Sequence, residues 1–469
     1  MNAARHPEPP LNPTSPAAGA QSIRALVQRF PADFVWGVAT SAFQIEGAAR
    51  ADGKGESIWD RFCRVPGAIS DGSHGDVACD HYHRLDADLD LIASLGVSAY
   101  RFSVSWPRVQ AAGTGAWNPA GLAFYERLVD GLRARGVAPH MTLNHWDLPQ
   151  ALQDEGGWAA RETAHHFVRY ARKMNEHLGE RCVSITTHNE PWVIAVLGHE
   201  LGIFAPGIKR RATALQVAHH LLLSHGLALQ ALRADGCRAE LGIVLNLAPA
   251  EPATPAPADI AKARLDDATG LRWYCDPLFN RRYPEEALAE FGTDAPLVQA
   301  GDLDVIAQPL DFLGVNYYTR HVASAAAPWD PVAQGRPVTD MGWEIYPQGL
   351  TELLLRLQRD YAPKKMLVTE NGGAFKDAVS KGTVRDSDRT QYLLDHITAV
   401  AKAREQGAEV TGYMVWSLMD NFEWTSGYTK RFGIVHVDYA TQQRTLKDSA
   451  LWYRDLLASW RGARCVGER

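Results

Sequence analysis

Two glutamates in this chain stand in settings that could support acid–base chemistry. Glu190 follows Thr187-His188-Asn189 and precedes Pro191, and Glu370 lies in Val368-Thr369-Glu370-Asn371-Gly372. Each closes a run of apolar and β-branched residues, and each has an asparagine beside it. A pair of carboxylates flanking one bond is what glycoside hydrolysis requires. One protonates the leaving oxygen, and the other attacks the anomeric carbon or activates water. A separation of about 5–5.5 Å leads to retention through a covalent intermediate. A single buried glutamate is more often the partner of an arginine. Two at facing strand ends point to catalysis, provided that the fold brings them together.

The pattern of the whole chain supplies such a fold. Eight short runs recur: 34–40, 99–106, 139–146, 183–191, 241–248, 311–318, 365–372 and 412–420. Amphipathic segments separate them, such as AGLAFYERLVDGLRARG ending in Gly136 and TALQVAHHLLLSHGLALQALRADG ending in Gly236. Glycine is the usual residue just past a helix, because it takes the left-handed conformation cheaply. Eight βα units predict an α/β chain with a single (β/α)8 TIM barrel over residues 30–458 and its active site at the C-terminal ends of the strands. Glu190 then ends the fourth strand and Glu370 the seventh, on opposite sides of the mouth. Gln44, Arg101, His145, Trp146, Asn189, Asn316, Tyr318, Asn371 and Trp416 gather at the same face. A doubly wound sheet is the alternative fold, but no G-x-G-x-x-G follows a strand, so a dinucleotide site is not indicated.

Bulk properties narrow the function classes. A chain that is 46% hydrophobic and 22% charged is globular rather than disordered. A formal charge of -6 without basic runs argues against nucleic acid. No apolar stretch is long enough to span a membrane, and the first residues lack a signal peptide's apolar centre, so a cytoplasmic location is expected. Residues 1–29 are rich in Pro and Ala and read as a disordered extension, and 459–469 read as a tail. The six cysteines are scattered without C-x-x-C spacing, which suits a reducing compartment and suggests neither disulfides nor zinc. His81 and His83 have a spacing seen in metal sites but lack converging ligands. The pairs His165-His166 and His219-His220 fall on predicted helices, where neighbours diverge. No metal or cofactor is expected.

Together these segments resemble glycoside hydrolase family 1, the β-glucosidase family, from about residue 30 to 455. The resemblance rests on T-x-N-E-P and T-E-N-G at the two glutamates. It extends to FVWGVATSAFQIEG (34–47), DHYHR (80–84), YRFSVSWPR (100–108), NHWDLPQAL (144–152), GVNYYTR (314–320), MVWSLMDNFEW (414–424) and RFGIVHVDY (431–439). It implies a retaining β-glycosidase, foremost a β-glucosidase. Such an enzyme removes terminal β-D-glucosyl residues, with galactosyl or fucosyl residues as further candidates, in carbohydrate metabolism and the degradation of cellulose and other polysaccharides. By the same resemblance Glu190 is the acid/base and Glu370 the nucleophile. Arg101 and Tyr318 attend Glu370, Asn189 meets the sugar 2-hydroxyl, and Asn316 lies near Glu190. Gln44, His145, Trp146, Glu423 and Trp424 form the cradle for the ring, with Trp416 as its platform. Trp343 and Trp192 lie on the aglycone side.

Glu423 suits a small neutral β-glycoside or disaccharide and would repel a 6-phosphate. Lys430, seven residues on, reads as solvated. A 6-phospho-β-glycosidase and a transglycosylating enzyme are the alternatives, and assembly into a homo-oligomer stays open. His188 occupies a slot that is usually apolar or aromatic in the family. It shares strand parity with Glu190 and is expected to point the same way. A satisfied core histidine is the favoured reading; a protonated one would lower the pKa of Glu190. Phe204 stands where the family often has His, and Asp276 in WYCDPLF reads as structural.

Overall fold

A computed structural model describes residues 23–467. Eight strands close into a barrel: β1 (Val35–Ala39), β2 (Ala99–Ser103), β3 (Ala138–Asn144), β4 (Ser184–Asn189), β5 (Glu240–Asn246), β6 (Phe312–Asn316), β7 (Met366–Asn371) and β8 (Val410–Trp416). Each pairs in parallel with its sequence neighbours, and β8 pairs with β1. This is the expected (β/α)8 barrel. Its strands are buried almost throughout because side chains fill the inside and helices cover the outside.

The outer helices follow from their periodicity. Helix Glu162–Leu178 buries Thr163, Ala164, Phe167, Tyr170, Ala171, Met174 and Leu178, an i, i+3/i+4 stripe facing the barrel. Tyr170 also donates its hydroxyl to the carbonyl of Leu143 at 2.9 Å, which ties that helix to β3. Helix Pro119–Ala134 opens with Pro119 in its first turn and with Asn118, whose side chain accepts from the Ala120 N–H at 3.2 Å. It stops at Gly136, whose φ is +72°. There the Gly136 and Val137 N–H groups return to the carbonyls of Arg133 and Leu132, each at 3.0 Å. Helix Arg211–Ala234 ends in the same way at Gly236, with φ of +75°.

Two boundaries differ from the sequence reading. Residues 23–27 are helical, and Leu26 and Val27 are buried, so the folded unit starts before residue 30. The remainder of the expected extension, residues 1–22, lies outside the described residues. Helix Asp448–Gly467 runs through the expected tail, and Trp460 packs 6.3 Å from Trp36 beside the start of β1. Both segments were missed because each puts only one or two apolar residues into the core, too few for a period to show. Among the described residues no helix is long and apolar enough to cross a membrane.

Three ladders shift register near the C-terminal ends of their strands. The shifts fall between Thr186 and Asn189 on β4, between Val315 and Asn316 on β6, and between Tyr413 and Val415 on β8. Such irregularities re-aim side chains, and all of these lie beside the residues singled out above. The helix stop itself is testable. A Cβ at Gly136 would meet nothing within 4 Å, so Gly136→Ala adds backbone strain without a clash. The expected loss of stability is about 1–2 kcal/mol, read from the urea midpoint. An unchanged midpoint would contradict the assignment of this cap.

Candidate active site

Glu370 ends β7 with its side chain 3% exposed. Arg101 on β2 donates to its Oε1 at 2.5 Å, and the Tyr318 hydroxyl donates to its Oε2 at 2.7 Å. Burial pushes the Glu370 pKa above the usual carboxylate range, while the Arg101 charge and these two hydrogen bonds oppose the push. Arg101 is held from two further directions. It donates to Asn189 Oδ1 at 2.6 Å and to Thr142 Oγ1 at 3.2 Å, so one guanidinium joins β2, β3, β4 and β7.

Glu190 sits one residue past β4 with φ of +50°, and its N–H donates to the carbonyl of Val244 at 2.9 Å. Its Oε1 accepts from the Asn316 amide at 2.5 Å. Burial, and then the charge of Glu370, raise its pKa to about 8. The two carboxyls therefore differ in their donors: Glu370 has a cation and a hydroxyl, and Glu190 has a neutral amide. That asymmetry favours the proton on Glu190 and the charge on Glu370. Trp146 (φ +77°) and Trp424 (φ +45°) also have left-handed backbones. Strained non-glycine residues of this kind persist only where the surroundings hold them. The Trp146 indole, for example, donates to the Asn189 carbonyl at 2.9 Å.

The parity argument for His188 fails for a physical reason. The register shift on β4 inserts an extra residue, and Glu190 has left the strand, so the two side chains diverge. His188 points outward. Its Nδ1 accepts from Asn144 at 3.0 Å, its Nε2 lies 2.8 Å from Ser224 Oγ, and its ring stacks on Phe167 at 4.4 Å. Burial holds its pKa well below the usual histidine value, so it is a neutral core histidine.

A cavity of about 790 Å³ opens at this face. Glu190 and Glu370 line it together with His145, Trp146, Asn316, Tyr318, Trp343, Trp416, Glu423 and Trp424. The His145 ring lies nearly parallel to those of Trp416 and Trp424, at 5.8 and 6.1 Å. Trp343 packs on Tyr318 at 5.5 Å, and Trp192 and Phe204 also line the wall. Glu423 is half-buried, and desolvation in the cavity wall together with the charge of Glu370 raises its pKa to about 8. Gln44, Asn189 and Arg101 are buried beside this wall. Gln44 accepts from Ser41 at 2.6 Å and donates to Asn421 Oδ1 and the Phe422 carbonyl at 2.9 and 3.0 Å. Asn189 accepts from Arg101 and from Asn316 and donates to His145 Nε2 at 3.2 Å, which requires a neutral imidazole.

Lys430 is not simply solvated, because it donates to the Asp340 carbonyl at 2.6 Å and pairs with its carboxylate at 3.1 Å. His81 turns to Asp88 and His83 to Asp80, at 2.8 and 2.6 Å, so the two do not converge. His219 meets Tyr283 and Asp302, whereas His220 meets Gln216 and the Trp158 carbonyl. Asp276 accepts from the Tyr361 hydroxyl at 2.7 Å, a structural contact. The sequence reading did not single out Thr142, Thr369, Trp59 or Phe432. Thr369 donates to Asn316 Oδ1 at 2.7 Å and so orients the amide on Glu190. Trp59 packs against Trp424 at 4.6 Å, and Phe432 lies 6.1 Å from Tyr318. Thr369 and Phe432 lay within matched segments; Thr142 and Trp59 did not.

Two opposed carboxyls in the mouth of a closed barrel, walled by aromatic rings, define a glycosidase of the barrel class. The chain belongs to glycosyl hydrolase family 1, whose sequence profile matches residues 26–461. It is 47% identical over 439 residues to β-glucosidase A of Acetivibrio thermocellus, covering 91% of this chain and 98% of that one. It is 43% identical over 460 residues to a bifunctional β-D-glucosidase/β-D-fucosidase of Bifidobacterium breve, covering 92% and 98%. Virulence factor SghA of Agrobacterium tumefaciens, solved with its substrate analog salicin, aligns with a TM-score of 0.91 at 44% identity over 93% of this chain and 98% of that one. The protein is an O-glycosyl hydrolase, a retaining β-glucosidase.

Removing a donor from Glu370 moves its titration in a known direction. Tyr318→Phe raises its pKa, so the acidic limb of kcat/KM moves to higher pH, and kcat/KM on an aryl β-glucoside falls roughly 10- to 100-fold. His188→Phe leaves that limb in place. Equal displacement of the limb by both variants would contradict the placement of the two residues.

Proposed function

We propose that Glu370 and Glu190 carry out a double displacement on a terminal β-D-glucosyl residue. A carboxylate oxygen of Glu370 attacks the anomeric carbon while Glu190 gives its proton to the glycosidic oxygen. The aglycone leaves as an alcohol, and an α-glucosyl ester remains on Glu370. Glu190, now ionised, takes a proton from water as that water attacks the same carbon and releases Glu370. The observation that carries this assignment is the unequal set of donors: Arg101 and Tyr318 on Glu370, and the neutral Asn316 amide on Glu190. Activity then requires Glu370 ionised and Glu190 protonated. As pH rises through about 8, the value to which Glu190 is raised, the first step loses its acid.

The glycone is a neutral sugar in this reading. Glu423 lies in the wall with Gln44 behind it at 3.4 Å, placed to accept from sugar hydroxyls. A 6-phosphate would meet this carboxyl, and Lys430, seven residues on, is already paired with Asp340. Trp416 supplies the platform, His145 and Trp424 flank it, and the remaining amide hydrogen of Asn189 serves the 2-hydroxyl. Fucosidase activity beside glucosidase activity is supported by the name of the Bifidobacterium breve relative. Aryl glucosides related to salicin, the substrate analog bound by the Agrobacterium tumefaciens relative, and short β-glucans such as cellobiose are the proposed substrates, with a role at the end of cellulose breakdown as part of the same reading. Cys63, Cys79, Cys182, Cys237 and Cys275 are free, in keeping with a reducing, cytoplasmic setting.

Rescue by a small anion tests the two roles separately. Glu370→Gly with azide is expected to give the α-glucosyl azide, because azide attacks from the face that Glu370 vacates. Glu190→Ala is expected to lose roughly 10²- to 10⁴-fold on glucosides with poor leaving groups, and with azide to give the β-glucosyl azide. Reversed anomers, assigned by NMR, would overturn the assignment.

A further inference from the structure

The Tyr318 hydroxyl reaches Glu370 only while its ring keeps one orientation. The barrel fixes the backbone here: the Tyr317 N–H donates to the Glu370 carbonyl at 3.0 Å, and the Tyr317 carbonyl accepts from the Asn371 amide at 2.7 Å. The Tyr318 ring is placed by packing instead, on Trp343 at 5.5 Å and on Phe432 at 6.1 Å. Trp343 belongs to residues 324–346, a connection whose only sheet pairing is an isolated bridge from Val338 to Glu344. A long connection of this kind keeps one conformation only where side chains fasten it.

The residues just past β6 fasten it. Thr319 donates its hydroxyl to the Glu344 carbonyl at 2.9 Å, and Tyr317 donates to the Tyr346 carbonyl at 2.6 Å. Arg320 grips the Glu344 side chain with two parallel bonds, Nε to Oε2 at 2.9 Å and Nη2 to Oε1 at 3.0 Å. Its remaining nitrogen, Nη1, donates to Glu251 at 2.6 Å, and its guanidinium lies 3.9 Å from the centre of the Tyr346 ring. Glu251 stands in the short strand Ala250–Pro252, which pairs with His321–Ala323 directly after Arg320. The side chains of Arg320 and Glu344 are only 9% and 5% exposed. Apolar packing alone could hold the connection down. A two-bond fork also fixes its position, because both nitrogens must meet both oxygens.

We propose that Arg320 is a positioning residue for the reaction: by gripping Glu344 it seats Trp343 against Tyr318 and so keeps the Tyr318 hydroxyl on Glu370. The proposal rests on the reading of Glu370 as the nucleophile. The titratable and charged groups around Glu370 are Arg101, Glu190, Tyr318 and Glu423. Those around Arg320 are Glu251, Glu344, Tyr317 and Tyr346, with Arg336 3.5 Å from Glu344. Loosening the grip weakens the bond from Tyr318, so ionised Glu370 loses support and its pKa rises. Charge alone acts in the other direction when Glu344 is removed, since loss of a carboxylate would lower that pKa.

Turnover of β-D-glucosyl fluoride against pH tests this, because Arg320 lines the cavity and this substrate has no aglycone for it to touch. Arg320→Met and Glu344→Ala are each expected to lower kcat roughly tenfold, with KM changed less than about threefold. Each is expected to move the acidic limb of kcat/KM up by roughly half a pH unit or more. Arg320→Lys keeps the charge without the fork and is expected to fall between Arg320→Met and the native enzyme. In a Tyr318→Phe background none of the three moves the limb further, because the hydroxyl they act through is gone. A limb that stays in place in Arg320→Met, moves down in Glu344→Ala, or shifts equally with and without the Tyr318 hydroxyl would overturn the proposal. If Arg320→Met does not fold, Glu344→Ala decides by the direction of its shift. A limb that Tyr318→Phe itself leaves unmoved would instead overturn Glu370 as the group that the limb reports.

Discussion

The ion pair between Arg101 and Glu370 is the contact on which the site depends. Both side chains are almost fully buried, at 2% and 3% exposure. Burying such a pair costs free energy unless the remaining hydrogen-bonding capacity of both ions is met. Here it is met from around the barrel: Thr142 and Asn189 hold the guanidinium, and Tyr318 holds the other carboxylate oxygen. The same contacts favour a negative charge on Glu370, as the proposed attack on carbon requires. They also set the condition of Glu190, since an ionised Glu370 nearby disfavours a second charge. Closure of the barrel thus has a direct chemical consequence. Without β2 beside β3 and β7 across the mouth, Arg101 could not join these groups.

A second buried network steadies the sugar side. Asp420, in the loop between Trp416 and Glu423, is wholly buried and accepts from Lys447 at 2.7 Å, from Arg431 at 2.6 Å and from the Gly433 N–H at 3.1 Å. Lys447 also reaches Asp377, which in turn pairs with Arg389 at 2.7 Å. The loop bearing Glu423 and Trp424 is therefore fastened to the C-terminal part of the chain by charge-assisted bonds. The aromatic cluster of Phe43, Trp59 and Trp146 packs around Trp424 on its other side. Rigidity of this kind matters because recognition of sugar hydroxyls depends on fixed donors and acceptors.

Much of this was legible in the sequence. Strand runs ending in polar or aromatic residues marked the mouth of the barrel, and Gly136 and Gly236 marked helix ends that the structure repeats. The glutamates and their partners Arg101, Asn316 and Tyr318 come together as the strand order requires. What escaped depends on departures from regular geometry. His188 was assigned the direction of Glu190 because alternation was assumed, and one extra residue on β4 reset it. Gln44 and Asn189, expected at the sugar, are also held by partners that no local pattern shows: Asn421 and the Phe422 carbonyl for Gln44, and Arg101 and Asn316 for Asn189. Thr142 and Trp59 matter only through contacts across the fold, so no local pattern marks them.

The central claim, that Glu370 is the residue to which the sugar becomes bonded, is most directly tested by trapping the ester. A 2-deoxy-2-fluoro-β-D-glucosyl fluoride slows the second step more than the first, so the covalent species accumulates. Peptide mapping by mass spectrometry is predicted to find one 2-fluoroglucosyl group per chain, on the peptide that contains Glu370 and at that residue. A label on Glu190, or turnover of the reagent with no covalent adduct, would contradict the account.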